Sequence, residues 1–120
     1  ELALCQRYFE KSFDLANAPA QAIGTSNGAF CAVQVVGQSA AQRCGSVTCK
    51  TPKRSTPTIT LFNPIASNAQ FYNGNSGGST TSTAAGSVGE NGFHLDTVTQ
   101  AGSGAAGNGL FIHWTASAEL

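Results

Sequence analysis

His94 and Asp96 stand two residues apart in "FHLDTV". On an extended strand they project from the same face. With serine abundant, a Ser-His-Asp triad is the first chemistry to weigh. The chain has no G-x-S-x-G elbow, and a triad is defined by geometry that counting serines does not supply. The pair therefore reads as a half-exposed polar strand face. The carboxylates are Glu1, Glu10, Asp14, Glu90, Asp96 and Glu119. Glycoside hydrolysis needs two of them facing each other across a cleft, and no motif pairs them. "GSGAAGNG" follows no strand-to-helix unit, so it reads as a flexible turn and not as a phosphate cradle. Neither an enzymatic activity nor a cofactor is expected.

The four cysteines, Cys5, Cys31, Cys44 and Cys49, are separated by 25, 12 and 4 residues. An even count permits two disulfides in three pairings. No C-x-x-C occurs and neither histidine is near a cysteine in sequence, so no metal site is expected. If Cys44 and Cys49 share one straight strand, their side chains point to opposite faces and cannot bond. Free, buried thiols are favoured over a disulfide framework.

Binding is better supported. Exposed aromatics stack on sugars, and Asn, Asp, His and Ser hydrogen-bond to hydroxyls. "FYNGN" and "ENGFH" bring such residues together in sequence. Tyr72, Asn73, Asn75, Asn91 and His94 are the candidate ligand contacts, with Glu90 beside them. Phe71 reads as satellite core, and Tyr72 fits either role. Trp114 reads as core or subunit interface.

These residues need strands to hold them. A short helical turn is expected over Glu1–Gln6, then a strand to about Phe13. Further strands are expected over Ala29–Val36, in "SVTCK" and in "TITLF". Prolines at 52, 57 and 64 bracket "TITLF" as an edge or strand end. In "FHLDTV", Phe93, Leu95 and Thr97 share the face opposite His94, Asp96 and Val98. Leu110, Ile112, Trp114, Ala116 and Ala118 form a long inward row. Asn91–Gly92 signals a tight turn. Ser76–Gly86, almost all Gly, Ser, Thr and Ala, reads as a long surface loop flanked by Tyr72 and His94. The fold class expected is all-β, an antiparallel β-sandwich or jelly-roll-like single domain over 1–120.

Composition narrows the functions. Six basic and six acidic residues cancel, so no dense basic face exists for nucleic acid. "KTPKR", Lys50–Arg54, reads as a solvated charged turn. No apolar run approaches a membrane span, so no membrane insertion is expected. Val, Ile, Leu and Phe number 24 of 120 residues, at the edge of what supports an independent core. Stability shared with neighbours, either oligomer partners or an adjoining domain, is expected. The absence of Met suggests an excised domain or a cleaved product.

"ELALCQRYFEKSF", "STPTITLFNP" and "GFHLDTVTQ … GLFIHWTASAEL" resemble the C-terminal receptor-binding tip domain of tailed-bacteriophage tail fibres and related virion proteins. The resemblance implies the distal part of a longer chain. It implies a homotrimer that contacts other phage tail proteins and adsorbs the virion to a host surface glycan or protein. It also implies assembly in the host bacterial cytoplasm, which favours reduced cysteines. The alternative within the same resemblance is a virion structural or decoration domain that mediates phage protein contacts without a host ligand.

Overall fold

A computed structural model describes residues 4–118, apart from 6, 15, 19, 26, 27 and 103. The described residues form β1 (Phe9–Lys11), β2 (Phe30–Val33), β3 (Ala41–Thr48), β4 (Thr58–Phe62), β5 (Tyr72–Asn73), β6 (Thr81–Gly89), β7 (Gly92–Val98) and β8 (Gly109–Ser117). All pairings between them are antiparallel. The chain is an all-β sandwich of a five-stranded and a three-stranded sheet. The expected helical turn lies mostly outside the described residues. Leu4 and Cys5 are helical, and their carbonyls accept the N–H groups of Arg7 and Tyr8.

β8 is the hub of the larger sheet. β1 and β4 meet the same residues at its C-terminal end, so they flank it on opposite edges. β2 and β5 do the same at its N-terminal end. The second sheet has the order β3-β7-β6. The inward row of β8 (Leu110, Ile112, Trp114, Ala116) packs against Phe93 and Leu95 of β7, with Phe71 and Ala32 closing the same cluster. Trp114 and Phe93 meet edge to face across the two sheets, with centroids 5.3 Å apart. Trp114 and Phe71 are thus core residues.

The outward side of β8 is covered at one end only. His113 and Thr115 are buried there. Ser12 Oγ–H donates to His113 Nδ1 at 3.0 Å, and His113 Nε2–H donates to the Gly24 carbonyl at 2.8 Å. Phe13 lies edge-on to the imidazole. At the other end of β8, Phe111 stays half-buried.

Two glutamines act as stand-in strands, and a third clasps a turn in the same way. Gln42 reaches from β3 to the free edge of β2, donating to Val33 O (2.8 Å) and accepting from Val35 N–H (2.9 Å). Gln21 does the same on β4, with Leu61 O and Asn63 N–H. Gln38 takes both backbone groups of Gly102. The first two carboxamides supply the donor and acceptor that an edge backbone would otherwise leave to another chain, whereas Gly102 lies in the β7–β8 connection.

The expectations for four segments are corrected. Thr81–Gly89 belongs to a nine-residue strand, so the long surface loop over Ser76–Gly86 shrinks to its first few residues. β3 begins at Ala41, five residues before the strand expected in "SVTCK". The β6–β7 hairpin turns on Glu90–Asn91, one residue before the expected Asn91–Gly92. Lys53 is not solvated. Its ammonium is fully buried against the Glu10 carboxylate, and it also donates to Thr51 O at 3.0 Å.

Candidate functional site

The outer face of the three-stranded sheet is built by alternation. Along β7, Phe93, Leu95 and Thr97 are buried while His94, Asp96 and Val98 are partly exposed. Cross-strand partners share a face in an antiparallel sheet. Ser46, Arg43 and Ala41 of β3, and Gly86, Ala84 and Thr81 of β6, therefore join the outward row.

His94 Nε2 donates to Asp96 Oδ2 at 3.1 Å. Arg43 Nε stands 4.0 Å from Asp96 Oδ1, a loose pair because the guanidinium is largely in solvent. The imidazole lies over Gly86, where a β-carbon would come within 2.5 Å of Nε2. Glycine at this position lets the ring lie down on the sheet.

β6 carries two bulges. Ser82 and Thr83 together oppose Thr97, and Ser87 and Val88 together oppose Phe93. The first residue of each pair has positive φ, 49° at Ser82 and 47° at Ser87. A left-handed backbone costs a non-glycine residue about 1–2 kcal/mol. Bulges re-aim side chains and bend the strand. Each of these serines lines an open depression on the outer face. One, of about 420 Å³, is bordered by Ala41, Arg43, Ser82 and Asp96. The other, of about 320 Å³, is bordered by Ser46, Ser87, Asn91 and His94. The His94–Asp96 pair runs between them. Volumes of this order suit one or two sugar units or a short peptide.

β3 is bulged too. Cys44 has no partner between the pairs Arg43–Asp96 and Gly45–Leu95. Its thiol is pushed up to about 11, first by burial and second by the charge of Asp96. Cys49 is also raised, by burial first, with Lys53 opposing and Glu10 adding. All four cysteines are unpaired, and Cys5 and Cys31 are exposed where buried thiols were expected.

The five candidate contacts do not form one site. His94 and Asn91 share the outer face of the smaller sheet. Tyr72 and Asn75 lie on or next to β5, in the larger sheet, with Tyr72 partly exposed and Asn75 exposed. Asn73 is fully buried, and its Oδ1 accepts the N–H groups of Asn75 and Ser76. It builds the turn after β5, much as Asn63 does after β4 by accepting from Ile65 and Ala66. Burial removes Asn73 as a surface contact. Ser82 and Ser87 were missed because bulges leave no composition signal of their own. Ser46 and Ser87 flank His94, yet neither hydroxyl is hydrogen-bonded to the ring, so no activated nucleophile is assembled there. Among the described residues no group of acidic, histidine and cysteine side chains could hold a metal ion.

No protein-family model matches the chain, and no curated protein matches it. Among solved structures, the chain is similar to the tailspike gp61 of Pseudomonas phage phi297, with a TM-score of 0.52 and 21% identity. The similarity covers 77% of this chain and 15% of the tailspike.

Proposed function

We propose that this chain is the receptor-binding tip domain of a tailed-phage fibre or spike, and that the outer face of β3-β7-β6 meets a glycan or protein on the host surface. The observation that carries this reading is the pair of bulge-formed depressions on either side of His94–Asp96. Serine hydroxyls, a carboxylate and an imidazole on an open sheet face suit ligand hydroxyl groups. The similarity to a phage tailspike supports a virion setting. In this reading the domain is non-catalytic, ends a longer chain, assembles as a homotrimer in the host cytoplasm and contacts other tail proteins. Several weak contacts on one virion then multiply through avidity.

Val33 at the end of β2 and Val35 just beyond it, each more than half exposed, favour a second reading: a structural or decoration domain that joins virion proteins. Adsorption of the purified chain to whole bacteria separates the two. His94→Ala, and Gly86→Ala, which drives a methyl into the imidazole, should reduce adsorption while leaving the melting temperature within a few degrees. Adsorption unchanged by both variants, or absent on a proven host, would turn the assignment to the decoration role.

A further inference from the structure

The outward side of β8 at Gly109–Phe111 has a construction of its own. Tyr72 and Cys31 are the cross-strand partners of Phe111 on its two flanks, so all three share the outer face of the larger sheet. Gly109 and Gly74 are the next outward positions. A β-carbon on Gly74 would lie 2.8 Å from Phe111 Cε2, and one on Gly109 would lie 3.3 Å from the same atom. The phenyl ring therefore occupies the space of two missing side chains. It leans along the sheet toward Gly74 and Gly109 and stays half-buried. Asn75, exposed beside it, accepts the Gly109 N–H with Oδ1 at 2.7 Å, which leaves its Nδ2 as a donor at the rim. No formally charged side chain occurs on β2, on β5 or in residues 108–111.

We propose that Phe111 and Tyr72 form a stacking floor for a pyranose ring, with Asn75 donating to one of its hydroxyls. An aromatic face is electron-rich and a pyranose presents a weakly positive C–H face, so the two attract without any charge on either. The recumbent ring favours a flat partner over a side-chain knob, and the uncharged amide rim favours a neutral sugar over an acidic one. Phe111 then contributes to recognition although it sits on the central core strand. This assignment rests on the reading of the chain as a glycan-binding tip, and it adds a second contact surface on the side of the sandwich away from His94.

The test uses the full chain on an array of purified bacterial capsular and O-chain polysaccharides. Phe111→Leu and Tyr72→Leu keep an apolar side chain but remove the π face. Each should weaken binding about five- to tenfold, while Phe111→Trp retains it. Thermal melts check folding, and if Phe111→Leu melts early, Phe111→Trp and Tyr72→Leu decide. Wild-type binding with both leucine variants equal to it overturns the stacking floor and leaves the glycan reading standing. Binding of no polysaccharide by the wild type overturns the glycan reading and the floor with it. Sedimentation of the same proteins supplies the remaining outcome. Self-association that Phe111→Leu abolishes, with polysaccharide binding unaltered, makes this face a joint between copies and also overturns the proposal.

Discussion

Gln42 is nearly fully buried, and its carboxamide is read twice by the backbone of β2. Gln42→Glu keeps the shape but sets a carboxylate oxygen against the Val33 carbonyl. A buried polar group left without its partner costs about 1–3 kcal/mol, more when charged. The variant should lose about 3 kcal/mol in urea unfolding at pH 7. Part of the loss should return at acid pH, where the protonated carboxyl again has a hydrogen to donate. Cys44 makes a different prediction. Its folded thiol lies near 11 against an ordinary value of 9.0. Below pH 9 both states are protonated and its contribution is fully present. As pH rises from 9 to about 11, the unfolded thiol ionises while the folded one resists, so stability falls across that window. Melting temperature measured at pH 8 and at pH 10.5 should drop less in Cys44→Ala than in wild type. Under native conditions iodoacetamide should label the exposed Cys5 and Cys31 first, giving two adducts by mass before any label enters Cys44 or Cys49.

At the scale of the element, β6 is the instructive strand. Ser82 and Ser87 hold a backbone conformation that glycine adopts freely. Ser82→Gly and Ser87→Gly should each raise stability by about 0.5–1 kcal/mol, seen as a higher urea midpoint at unchanged slope. If the bulge serines contact ligand, the same changes lower binding. β6 was also the strand hardest to see. "TSTAAGSVG" has one large apolar residue, and two bulges break its alternation, so no period of two survives in the sequence. Its strand character comes from pairing with β7, a tertiary cause. β4 was legible throughout, because Pro57 fixes its start and Ile59 and Leu61 alternate with threonine. β7 and β8 were legible for the same reason, as their inward rows are large and uninterrupted. The candidate site was half legible. His94 and Asn91 fall on one face because β7 and its hairpin turn hold them close in sequence. Tyr72 and Asn75 fall elsewhere because β5 pairs with β8, a contact more than thirty residues distant along the chain.

At the scale of the whole molecule, polar side chains tie loops and sheets together beyond the apolar core. Gln42 joins β3 of the smaller sheet to β2 of the larger. At another place Lys53 carries the β3–β4 connection to Glu10 of β1, and its backbone N–H donates to Glu90 O in the β6–β7 turn. Glu10 also accepts from Lys50 N–H. Removing one member of a buried ion pair strands the other, at about 3–5 kcal/mol. Glu10→Gln should therefore destabilise strongly in calorimetry, while the double change Glu10→Leu with Lys53→Met should recover most of that loss. Mutation reaches the two sides of β7 unequally. Changes at Phe93, Leu95 or Thr97 open the core and are purged, whereas surface changes usually stay within about 0.5 kcal/mol. Codons 94, 96 and 98, with 43 and 46 across the ladder, are thus free to drift. If this face is the one that meets the host, a lineage selected for a different receptor could rewrite it one nucleotide at a time at little cost to folding.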